Sequence, residues 1–185
     1  MVRDLDVLNA AIESFGGQAR PGQQEMVEAV SSALETGEHL LVQAGTGTGK
    51  SLGYLVPALH RAVEHGERIV VATATLALQA QLATKDIPTA LEAMEKVTGT
   101  RPRTAILKGR TNYACLYRAR DGVQPEQSAL LGSETMQVSD TGSEVLRLRE
   151  WVEEQVETGG LADRDDAPAH TQTAWNQVSI PTREC

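Results

Sequence analysis

The chain has 185 residues, a formal net charge of −8, 41% hydrophobic and 23% charged residues. That length suits one substantial core with part of a second unit, and the balance is that of a soluble globular protein. No apolar run approaches membrane-spanning length, and the start Met1-Val2-Arg3-Asp4 is no signal peptide. These features exclude a membrane partner and predict a cytoplasmic location.

In chain order, Leu5, Leu8, Ile12 and Phe15 fall at helical spacing and predict a first helix over 4–15, stopped by Gly16-Gly17. Arg20-Pro21-Gly22-Gln23 opens a second helix, with Met26, Val27, Val30, Ala33 and Leu34 as its apolar stripe. Gln23 is placed to read an adenine, because an amide both donates and accepts. A single glutamine on an amphipathic helix is, however, more often simply exposed.

Leu40 to Val42 predicts a short buried strand, followed by Ala44-Gly45-Thr46-Gly47-Thr48-Gly49-Lys50-Ser51. Leu52, Leu55, Val56, Leu59 and Val63 then give a helical stripe. Strand, glycine-rich turn and helix opening on Lys-Ser form the context of a phosphate-binding loop. Glycines let backbone N–H groups converge on a triphosphate, and the helix start adds its positive end. Lys50 would supply charge to the β- and γ-phosphates of ATP, and the Ser51 hydroxyl would ligate Mg²⁺. Ala44 stands where the common motif begins with glycine.

Arg68 to Ala72 predicts a second strand, apolar on both faces as in a parallel sheet covered by helices. Thr73-Ala74-Thr75 then leads into a helix from Leu76 to Leu82. Small hydroxyl residues at such a strand-to-helix turn lie on the ligand-binding edge of the sheet. Pro88 opens a further helix with Leu91, Met94 and Val97, and Thr104 to Leu107 is a third strand. Strands alternating with helices predict a doubly wound α/β sheet.

From Arg101 to Arg120 there are six bases and no acid: Arg101, Arg103, Lys108, Arg110, Arg118 and Arg120. A basic stripe in an acidic protein is a candidate contact for a phosphate backbone; a solvated charged surface fits equally well. Beyond residue 109 no buried strand is expected. One helix is, with Thr141-Gly142-Ser143-Glu144 as a capping box and Val145, Leu148, Val152 and Val156 as its stripe. The segment Asp163 to Pro168 reads as a loop. The boundary is placed near 109, giving units of 1–109 and 110–185.

A phosphate-loop ATPase also needs an acidic element to hold Mg²⁺ and polarise water, usually an apolar strand ending in Asp-Glu. The chain contains no Asp-Glu dipeptide, so it reads as the N-terminal piece of something longer, doubtful as an enzyme alone.

Arg20–Gln23, Ala44–Ser51, Thr73–Leu82 and Lys108-Gly109-Arg110-Thr111-Asn112-Tyr113-Ala114-Cys115 together resemble the DinG/XPD-type iron–sulfur DNA helicases, closest to the bacterial DinG branch. The likeness spans essentially the whole chain, with the motifs in the family's order. It implies a RecA-like phosphate-loop motor, incomplete here over 1–109, and the start of a helical iron–sulfur insertion over 110–185. It implies 5′→3′ unwinding of single-stranded or forked DNA at the expense of ATP, and a role in DNA repair. By the same resemblance Gln23 matches the adenine-reading glutamine, and Ala44, Gly45, Thr46, Gly47, Thr48, Gly49, Lys50 and Ser51 the nucleotide loop. Thr73, Thr75 and Gln79 would contact single-stranded DNA, and the basic run adds Arg110 as a candidate contact. Cys115 would be the first ligand of a [4Fe–4S] cluster, and Cys185, in Glu184-Cys185, a second. The residues alone leave open another phosphate-loop ATPase or kinase, or a non-catalytic nucleic-acid-binding module.

Overall fold

The computed structural model describes residues 3–121 and 140–180, and the chain divides into two compact units, Met1–Ile106 and Leu107–Cys185.

The first unit is built on α1 (Asp4–Glu13), α2 (Pro21–Thr36), α3 (Lys50–His65), α4 (Leu76–Gln81) and α5 (Ile87–Thr98), with α1, α3 and α5 packed on one another and α2 on α1 and α3. Val7, Leu8, Val27, Val56, Ala90 and Met94 are fully buried at their centre, whereas Phe15, counted in the first stripe, is 60% exposed and lies beyond the end of α1. Gly53 lets α2 approach α3: a Cβ there would lie 2.8 Å from Met26 Sδ. One carboxylate, Asp4, ties three helices by accepting from Ser31 Oγ of α2 and His60 Nδ1 of α3.

α4 and α5 are joined without a break by a π-helical turn, Leu82–Asp86, where two separate helices were expected. The spacing of the apolar residues accounts for it. Leu82 is buried and Ile87 packs on the same core, five residues on. In α-helical register the core position four residues after Leu82 would fall to Asp86. The wider turn moves that carboxylate off the core, and Gln81 Nε2 bonds Asp86 Oδ2 across it at 2.9 Å.

The three predicted strands are not found. Among the described residues there is no strand, only the isolated bridges Tyr113–Asp163 and Ala114–Ser179. Leu41, Val70 and Leu107 are 98%, 82% and 84% exposed. A helix closes its hydrogen bonds locally, whereas a strand exists only against a neighbour, and these segments meet none among the described residues.

The second unit packs α6 (Leu116–Asp121), α7 (Asp140–Thr158) and α8 (Gln172–Val178) around Leu148, Val152, Ala174, Trp175 and Val178. The expected helix over 141–158 is α7, but its capping box is not formed. Thr141 lies inside the helix. Glu144 instead accepts from the backbone N–H and hydroxyl of Thr171, at 2.9 and 2.7 Å, just ahead of α8. The expected loop at 163–168 contains a 3-10 turn, Arg164–Asp166, with Asp163 capping it. No helix among the described residues is long and apolar enough to cross a membrane.

Candidate nucleotide-binding loop and nucleic-acid elements

Ala44 to Ser51 forms a turn on the N-terminus of α3. Gly47 and Gly49 have φ of +78° and +79°, the left-handed region where a side chain is strained, so the alternating glycines are a conformational requirement. Thr48 Oγ1 bonds the Gly45 carbonyl at 3.0 Å and closes the turn. Lys50 Nζ folds back onto the carbonyls of Ala44 and Gly45, at 3.0 and 2.6 Å. Its ammonium thus lies inside the loop, held by neutral acceptors that an anion would outcompete. The first N–H groups of α3, which begins at Lys50, have no intrahelical partner, so a turn seated on that helix start has the chemistry of an anion receptor.

Gln23 is brought to the same place. It is 5% exposed, on the first turn of α2, and its Nε2 donates to the Gly49 carbonyl at 3.0 Å. The expectation of a polar group beside the loop therefore holds in position, while the ordinary alternative of an exposed glutamine does not. Beside them opens a cavity of 340 Å³ bordered by Phe15, Arg20, Gln23, Gly49 and Ser51, within the size range of small-ligand pockets. Ser51 also bonds Tyr54, one turn along α3. Burial is the largest influence on that phenol and raises its pKa; the Ser51 bond opposes the rise and the nearby Asp86 adds to it.

Thr73, Thr75 and Gln79 lie where the exposed segment around Val70 enters α4. Thr75 is the N-cap: its hydroxyl accepts from Leu78 N at 3.2 Å, and Thr73 Oγ1 donates to the Thr75 carbonyl at 3.3 Å. These hydroxyls shape the helix entry, which sequence reasoning had assigned to a ligand alone.

The basic stripe is not uniform. Arg101 pairs with Glu95 at 3.0 Å. Arg120 makes a two-pronged contact with Glu153, both arms at 2.7 Å, and holds that carboxyl below its usual range mainly by the side-chain hydrogen bond. Lys108 lies between Asp163 and Asp165, at 2.6 and 2.7 Å. Burial pulls its pKa down, but the two carboxylates outweigh that and leave it raised. Absence of acids along the sequence gave no sign of acids supplied from α5, α7 and the 163–165 turn.

Arg110 opens a 3-10 turn, Arg110–Asn112, that is anchored by Trp175: the indole Nε1 donates to the Thr111 carbonyl at 2.8 Å. Trp175 is 1% exposed, stacks on His170 with ring centroids 5.1 Å apart, and carries the Arg164 guanidinium 5.5 Å from its own centroid. This aromatic anchor went unnoticed in the sequence, where Trp175 stands in a short polar run. Cys115 follows the turn as a free, half-buried thiol whose backbone N–H donates to the Val178 carbonyl at 2.7 Å. Cys185 lies outside the described residues. Among the described residues no group of three or more His, Cys, Asp or Glu could hold a metal ion.

A glycine-rich turn with a lysine, a serine and a buried glutamine beside one helix start has the residue types that a phosphate-binding loop requires. The DEAD/DEAH box helicase family matches residues 20–116, and the chain belongs to that family, which implies a RecA-like fold. The chain is 43% identical over 97% of its length to the ATP-dependent helicase DinG of Mycobacterium tuberculosis strain H37Rv, covering 27% of that protein. It is 37% identical over 92% of its length to the ATP-dependent DNA helicase YoaA of Escherichia coli K12, covering 24% of it. It is 38% identical over 56% of its length to the 3′-5′ exonuclease DinG of Bacillus subtilis, covering 11% of it. The chain thus spans about a quarter of the length of its first relatives.

Proposed function

We propose that this chain is the nucleotide-binding section of an ATP-dependent DNA helicase of the DinG kind, acting in DNA repair in the cytoplasm. The observation that carries the reading is the loop itself. Gly47 and Gly49 are in left-handed conformation, Lys50 is folded into the turn, and Gln23 is buried against Gly49. When ATP–Mg²⁺ is bound, Lys50 takes the charge of the β- and γ-phosphates and the Ser51 hydroxyl faces the metal. The loop amides from Gly45 to Gly49 cradle the phosphates, and Gln23 meets the adenine edge. In this reading the exposed segments around Leu41, Val70 and Leu107 pair as a parallel sheet in the whole protein, with residues 1–109 as part of the first motor.

Thr73, Thr75, Gln79 and Arg110 are assigned to single-stranded or forked DNA, with 5′→3′ movement. Residues 110–185 are assigned to the start of a helical insertion in which Cys115 and Cys185 are two of the four thiolates of a [4Fe–4S] cluster. The Cys115 N–H bond to the Val178 carbonyl supports this by fixing the backbone at Cys115 against the end of α8. The cluster would supply a rigid tie between these segments.

DNA-stimulated ATP turnover and unwinding by the whole protein test the proposal. Both are expected, and both should vanish in Lys50→Ala. Turnover that survives Lys50→Ala, or that DNA does not stimulate, would refute it.

A further inference from the structure

The π turn adds Lys85 and Asp86 to the lining of the 340 Å³ cavity that Gln23, Gly49 and Ser51 also border. We infer that Asp86 is a specificity residue of this site, accepting the hydroxyls of the nucleotide's ribose. The inference rests on the nucleotide reading above.

Three observations carry it. First, Asp86 reaches the cavity only because the helix widens there. Keeping Leu82 and Ile87 both on the core requires a five-residue turn, and π turns of this kind recur at functional sites. Secondly, its carboxylate is held but not used up: Gln81 Nε2 occupies Oδ2 at 2.9 Å, and Oδ1 has no hydrogen bond among the described residues. Thirdly, the other groups on the cavity match the other parts of a nucleotide. Gly49 and Ser51 belong to the phosphate end, while the exposed ring of Phe15 and the amide of Gln23 suit a base, the ring by stacking and the amide by hydrogen bonding.

What remains between phosphate and base is a sugar, whose polar groups are hydroxyl donors. An ionised carboxylate only accepts, so Oδ1, and the remaining lone pair of Oδ2, suit the donors of two vicinal hydroxyls. A carboxylate that found no donor there would merely repel the triphosphate. Lys85, its neighbour in the same lining, offsets part of that repulsion.

The test is equilibrium titration of the 185-residue chain with Mg²⁺ and three probes: ATP, 2′,3′-dideoxy-ATP and inorganic tripolyphosphate. The unaltered chain should bind ATP about tenfold more tightly than the dideoxy analogue, the worth of a hydrogen bond to a charged group. Asp86→Ala should narrow that ratio to below about twofold, and Asp86→Glu should restore part of it, while tripolyphosphate, which has no ribose, should bind Asp86→Ala at least as tightly as the unaltered chain. An ATP preference that persists in Asp86→Ala, or its absence from the unaltered chain, overturns the assignment while leaving the nucleotide reading intact. Failure of the unaltered chain to bind any of the three refutes the nucleotide reading, and the ribose assignment with it.

Discussion

The amide of Gln23 fills the space that a side chain at Gly49 would need. A Cβ on Gly49 would lie 2.3 Å from Gln23 Nε2 and 2.7 Å from its Cδ. The two residues are separated by 26 positions yet form one unit, since the same amide donates to the Gly49 carbonyl. Gly49→Ala therefore meets both a backbone penalty, at φ +79°, and an occupied neighbour. It is expected to cost roughly 1–3 kcal/mol of stability and most of the ATP affinity, checked by thermal melting and nucleotide titration. Gln23→Ala leaves room but removes the bond, and should cost about 1 kcal/mol. It should weaken ATP more than tripolyphosphate.

Lys50→Ala should abolish ATP–Mg²⁺ binding by the chain, because no other side chain in the turn carries a positive charge. Lys50→Arg should not rescue it, since a planar fork does not replace a compact ammonium seated on two carbonyls. Calorimetric titration of both variants checks this. The chain itself should bind ATP without steady hydrolysis, as it carries no Asp-Glu dipeptide to hold Mg²⁺ and polarise water.

Glu144 gives the second unit an acid-sensitive joint. The Thr171 hydroxyl first, then its backbone N–H, hold the Glu144 carboxyl below its usual 4.5. A carboxyl whose folded pKa is lowered contributes stability that is present above its unfolded value and is lost as pH falls through the folded one. The melting-temperature gap between the unaltered chain and Glu144→Ala should therefore be constant at neutral pH and close below about pH 4. A gap that does not narrow in acid would assign the loss to packing alone.

Trp175→Phe keeps the ring but loses the donor to Thr111. It should destabilise the second unit by about 1 kcal/mol and loosen the turn that precedes Cys115, read as faster amide exchange at Asn112 and Tyr113. Trp175→Ala should cost roughly 3–5 kcal/mol.

In the whole protein, neutralising Arg110 and Arg118 together should weaken DNA binding and reduce the slope of log affinity against log salt by about two. Neutralising Arg120, whose fork is on Glu153, should lower stability and leave that slope unaltered. Equal slopes for all variants would remove the stripe from the DNA interface.

The helices were legible because their periodicity is local: Val56, Met94, Leu148 and Val152 stand on stripes that can be counted in the chain, and all four are buried. The glycine-rich turn at 44–51 was legible because its glycines, lysine and serine are contiguous. What joins it to Gln23 was only half legible, since residue type suggested a ligand contact and the fold adds a structural one. Thr141–Glu144 misled because a capping box and a tertiary acceptor use the same glutamate, and only the position of Thr171 distinguishes them. The π turn follows from the spacing of Leu82 and Ile87, a signal present in the sequence but hidden when each helix is read separately. Pairing of Arg101, Lys108 and Arg120 was not legible at all, because their acids come from other elements.

Asp4 also sets an order of events. Its two partners, Ser31 and His60, lie 27 and 56 residues downstream, so during synthesis α1 cannot be fully fastened until the end of α3 has followed it. Until then α1 depends on its own marginal ten-residue propensity. The phosphate loop, at residues 44–51, emerges before that fastening closes. Nascent chains stalled short of His60 should thus be open to proteolysis within α1, and chains a few turns longer should resist it, which would make a single carboxylate the checkpoint of the unit's vectorial folding.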